Sequence, residues 1–162
     1  MKKLLSSVLI MFLVCSFIGS YAAEQQDITL DRFVERYNDC MTAFYKAFRQ
    51  KYTPVEAVIN DGLEQFALEL PGGRVDGVIE AGSVASVNVV ANDATGSLVI
   101  MGAIAALSSL DSAVDIMDPG KQAKHILLTG DPDITTTNGY NIEIVERFKS
   151  GEAKHVIITK LP

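Results

Sequence analysis

Few residues in this chain could do chemistry, and they lie far apart. His125 and His155 are its only histidines. Asp131 and Asp133 follow the apolar run Ile126-Leu127-Leu128, and Thr135 comes two residues later. Two imidazoles and one of these carboxylates would make a three-ligand zinc site. The same residues could instead serve a hydrolase, with His125 moving protons for Asp131 and Asp133. Neither spacing enforces such a geometry, and the histidines read as surface residues. A Ser-His-Asp set can be composed from any such list, but there is no Gly-x-Ser-x-Gly elbow. As a calcium loop the stretch fails: Thr136 stands where the sharp turn needs Gly, and Ile142 where the bidentate Glu belongs. There is no phosphate loop and no dinucleotide fingerprint. No metal and no cofactor is expected.

The run Leu128-Thr129-Gly130-Asp131-Pro132-Asp133-Ile134-Thr135 resembles the nucleophile loop of haloacid-dehalogenase-like phosphatases. In that family the first Asp attacks phosphorus, the second handles leaving-group protons, and Mg²⁺ sits between them. The family places the motif early in the chain and needs a later Lys and further acids. Here about 30 residues follow and read as a hairpin, and Pro132 does not suit an Mg²⁺ loop. The resemblance is set aside on those grounds.

Where the chain goes is clearer. Lys2-Lys3, the apolar run Leu4 to Ile18 and the small residues of Ser20-Tyr21-Ala22 make a secretory signal peptide, residues 1–22. Cleavage after Ala22 leaves residues 23–162, the size of one domain. Export to the periplasm or out of the cell is expected. Val14 is too large to precede a lipidated cysteine at Cys15. Losing Lys2 and Lys3 takes the net charge from −6 to −8. An acidic body argues against nucleic acid and anionic membranes as partners. Cys40 is the one cysteine left, so the domain has no internal disulfide. It reads as a buried thiol; a Cys40-linked dimer is the alternative.

The elements follow from periodicity. Thr29 or Asp31 caps a helix expected to reach about Gln50. Leu30, Phe33, Val34, Tyr37, Met41, Phe44 and Phe48 form its apolar stripe, while Arg32, Glu35, Arg36 and Asp39 take the other side. Glu64 to Leu70 alternates, Pro71-Gly72-Gly73 turns, and strands at 75–81 and 85–91 complete a meander. Ala94 to Leu110 has no charge and is too short to span a bilayer, so it is expected to be a core helix capped by Thr95 or Ser97. Gly102, Ala103, Ala105 and Ala106 thin its waist for close docking. Asp118-Pro119 opens a second helix to about Thr129. Strands at 134–137, 140–148 and 153–160 close the chain, with Asn138-Gly139 as a hairpin turn.

The expected class is α+β, with helices packed on one face of an antiparallel sheet in the order α-βββ-αα-βββ. Two halves, each placing helix before meander, suggest a pseudo-duplication. In size and element order the chain resembles small periplasmic inhibitor and immunity proteins. With no catalytic constellation in an exported, compact, acidic domain, a non-catalytic protein of the bacterial envelope that binds another protein, of inhibitor or immunity type, is expected. The alternative is a small-molecule or lipid-binding module. Phe33, Tyr37, Phe44 and Phe48 would then line a cavity against the small residues Gly77, Ala81, Ala85 and Ala91. N-terminal sequencing of the exported protein is expected to begin at Ala23-Glu24-Gln25; a start at any other residue refutes the cleavage site.

Overall fold

The computed structural model describes residues 27–60, 64–108, 134–137 and 139–162. The expected signal peptide, the expected helix from Asp118, and His125, Asp131 and Asp133 fall outside these residues. Helix α1 spans Leu30–Ala47. Strands β1 (Val58–Asn60), β2 (Gln65–Leu70), β3 (Gly73–Glu80) and β4 (Ser83–Ala91) follow. A 3₁₀ turn at Ala94–Gly96 leads into α2, Ser97–Ser108. Strands β5 (Ile134–Thr137), β6 (Tyr140–Arg147) and β7 (Ala153–Lys160) complete the set. The class is α+β, as the periodicity implied. Among the described residues no helix is long and apolar enough to cross a membrane.

The seven described strands pair antiparallel in one sheet, ordered β1-β2-β3-β4-β7-β6-β5. Two meanders therefore run inward from opposite edges and meet where β4 pairs with β7. Tight turns set the register. Pro71-Gly72 joins Leu70 to Gly73, with Gly72 at φ 86°. Ala81-Gly82 joins Glu80 to Ser83 with φ positive at both residues, which matches the right-handed twist of the flanking strands.

Each helix takes its place from its composition. α1 has one apolar stripe, and Phe33, Tyr37, Cys40, Met41 and Phe44 are buried along it. α2 is apolar on every side, the mark of a helix enclosed by other elements. It lies between α1 and strands β3, β4 and β7, and Val99, Ile100 and residues 103–107 are all buried. Both helices cover the same face of the sheet. The ring of Phe33 reaches Phe66 of β2 at 5.7 Å between centroids. Tyr37 Oη donates to the Val99 carbonyl at 3.2 Å, and Tyr140 Oη to the Val84 carbonyl at 2.9 Å. These bonds satisfy two buried phenols, each between elements remote in sequence.

Four expectations change. α1 stops at Ala47, short of Gln50, because Arg49 turns left-handed (φ 57°). The Gln50 and Arg49 amides then close back on the Tyr45 and Lys46 carbonyls in a Schellman arrangement. Asp93 caps the entry to α2 in place of Thr95 or Ser97. Its carboxylate accepts from the Gly96 amide and the Thr95 hydroxyl, and these bonds lower its pKa. Arg36, expected on the solvent side, is 6% exposed, and its Nε and Nη2 have no hydrogen-bond partner. Leaving such donors unpaired in the interior is costly. β1 is an additional strand, paired with β2, that the periodicity did not mark.

Asn38 fixes the strap that leads from α1 to β1. Its side-chain oxygen accepts from the Val55 amide and the Tyr52 hydroxyl, and its nitrogen donates to the Val55 carbonyl. Close docking of α2 depends on the absence of a side chain at Gly102. A Cβ there would lie 2.7 Å from Met41 Sδ and 3.1 Å from Tyr37 Cε2. Gly102→Leu is therefore expected to destabilise the fold by about 1–3 kcal/mol through overpacking. A lowered urea midpoint with unchanged slope would report this; an unchanged midpoint would show that α2 does not dock here.

Candidate functional site

The described helices occupy one face of the sheet, and no described helix lies on the other. Alternation assigns residues to each side. Phe66, Leu68, Val75, Val87, Val89, Val156 and Ile158 point at the helices and are buried. Their neighbours point outward. One outer row runs from Ala67 to Asp76 to Asn88 to Ile157 to Glu143 across five strands. The next runs from Gln65 to Val78 to Ser86 to Thr159 to Asn141.

A groove of about 510 Å³ crosses this face at its β1 end. Val58, Ala67, Val78 and Ile157 give it apolar surface, and Asn60, Gln65, Ser86 and Asn88 give it uncharged polar groups. Val58 and Ile59 of β1 are 68% and 55% exposed, unusual for large apolar residues. On the β3 side Arg74 bonds Asp76 at 2.6 Å and Glu69 at 3.1 Å. These contacts favour the charged guanidinium and raise its pKa. His155 Nε2 lies 2.6 Å from Asn88 Oδ1, and Lys154 pairs with Glu146 on the neighbouring strand. These polar contacts hold side chains in defined positions across the face.

The residues singled out from the sequence do not assemble here. Phe33, Tyr37 and Phe44 are buried in the common core, at 0%, 0% and 7% exposure, while Phe48 caps α1 from outside at 62%. Gly77 faces the ring of Phe66, which a Cβ would strike. The small residue is thus matched by a large one from the adjacent strand. Ala81 lies in a turn. Of the two histidines only His155 is described, and it serves the outer face. Among the described residues no three His, Cys, Asp or Glu side chains form a group that could hold a metal ion.

Cys40 is 1% exposed. Burial pushes its thiol from 9.0 to about 12; the Asp39 carboxylate adds to the rise, and Arg36 opposes it. A disulfide-linked dimer would need this thiol at the surface and ionised, and the fold provides neither.

The sequence contained a sign of the open face in the polar half of each alternating strand. The Asn88–His155 pair, 67 residues apart, was not visible there, nor was the three-residue β1. The chain matches no protein-family model, and no curated protein or solved structure matches it.

The buried acids set an alkaline limit on stability. Burial raises Cys40, Tyr52 and Tyr140 to about 12 and carries Tyr37 well above its usual value. Each folded pKa exceeds the unfolded one, so the folded state holds these protons longer. Their contribution is complete below about pH 9 and is lost as pH rises through the folded values. Urea midpoints are expected to fall steadily from pH 9 to 12, and Cys40→Ala is expected to flatten the first part of the fall. A midpoint that holds constant over this range contradicts the burial of these groups.

Proposed function

We propose that this chain is an exported, non-catalytic binding protein that holds another protein on the open face of its sheet, in the manner of an inhibitor or immunity protein. The observation that carries this reading is the division of the two faces. Both described helices lie on one side, and the other presents an ordered mixture of apolar, amide and hydroxyl groups beside a groove. A protein surface is a suitable occupant, because such interfaces combine apolar patches with about one hydrogen bond per 100–200 Å². The secretory signal peptide expected at residues 1–22 supports an encounter in the periplasm or outside the cell.

The test uses the native envelope as a source of partner. Wild-type protein, Asn88→Arg and Ile157→Arg are immobilised after circular dichroism shows equal folding. The wild type is expected to retain a specific protein, and either variant to retain about tenfold less, because each places a charge near the centre of the face. Equal recovery by all three proteins, or recovery of no specific protein by the wild type, overturns the proposal.

A further inference from the structure

The groove and the β1 edge together restrict what the open face can hold. We infer that the β1 edge takes a basic, extended segment of the partner polypeptide, added as a further strand beside Val58–Asn60 with its side chains entering the groove. This rests on the binding reading above and names the chemistry of its occupant.

Three observations carry it. Among the described residues β1 ends the sheet, with no described strand on its outer side, and all three of its residues are exposed. Sheet edges are usually blunted by lysine, proline or a bulge. Val58-Ile59-Asn60 is protected only by its shortness: it contains neither charge nor proline, and its pairing with β2 is regular. An unblunted edge is a template for strand addition.

Size selects the occupant. Three residues of strand offer about 10 Å of edge. A stable interface between folded partners buries about 800 Å² on each side. An edge this short suits a single extended segment better than a second copy of the chain, and the groove beside it receives that segment's side chains.

Charge gives the segment its sign. Across residues 56–80 the described positions carry five carboxylates, on Glu56, Glu64, Glu69, Asp76 and Glu80, and one base, Arg74. Arg74 is already engaged by Asp76 and Glu69. At the other end of the sheet, residues 139–162 carry four bases and three acids. The acidic excess therefore belongs to the segment that carries β1, β2 and β3; with Glu69 and Asp76 paired to Arg74, it rests beside β1 on Glu56 and Glu64, where it complements a basic segment and repels an acidic one.

The test uses the full exported chain and two synthetic ten-residue peptides as probes. One alternates Lys with Val and Thr; in the other Glu replaces every Lys. The basic peptide is expected to bind at least tenfold more tightly and to weaken as salt is raised. It is also expected to slow amide exchange within Val58–Asn60. Glu56→Lys is expected to weaken binding several-fold; Val58→Lys, on the edge itself, provides a second variant. Equal affinity for the two peptides, no binding at millimolar concentration, or binding that leaves β1 exchange unchanged overturns the inference. So does concentration-dependent self-association that Val58→Lys abolishes, since a second copy would then occupy the edge. The two proposals fail separately. A native partner retained by Glu56→Lys and Val58→Lys but lost with Asn88→Arg leaves face binding intact and removes the edge.

Discussion

Helix α2 has no polar side, and its burial constrains everything around it. An apolar helix can avoid water only if other elements enclose it. Here α1 covers one side and strands β3, β4 and β7 the other. The enclosure is tight because glycines stand at the closest approaches. Gly102 admits Met41 and Tyr37, and Gly96 comes against the backbone of Gly72 in the β2–β3 turn. Once α2 is seated, α1 must lie on it to bury its own stripe. Both helices are thereby committed to one face of the sheet.

That commitment leaves the opposite face without a described helix. An antiparallel sheet can present one side to a core and the other to water. Each outward residue here gains its setting from a neighbouring strand. Asn88 meets His155 only because β4 pairs with β7. Arg74 reaches Glu69 through the register of β2 with β3, and Asp76 two residues along its own strand. The face is consequently a product of strand pairing and carries no local sequence motif. The acidic excess at the β1 end and the near balance at the β6–β7 end arise similarly, from which segments are brought to which edge.

The helix stripe, the charge-free helix and the alternating strands were legible because each depends on a local period. Their ends were less so. Arg49 in a left-handed conformation closes α1 where glycine would have been the usual sign. β1 has only three residues and gains its identity from pairing with β2, a contact that periodicity cannot register. The aromatic residues show the same limit at the candidate site. Phe33, Tyr37 and Phe44 have the spacing of a cavity lining and of a core stripe alike. Their setting in the core depends on α2 and Phe66, which reach them from elsewhere in the chain.

By itself the sequence determined the α+β class, most strand positions, the helix that had to be buried and the thiol that shares its core. Those properties follow from apolar periodicity and turn chemistry within short windows. Tertiary structure decided which residues share a surface: the outer rows of the sheet, the groove beside β1, the Asn88–His155 contact and the acidic end. It also placed Arg36 in the interior against its helical pattern. The physical reason is one of distance along the chain. A period of two or 3.6 residues is written into neighbouring positions, whereas an edge, a groove or a local charge exists only where remote strands are brought side by side.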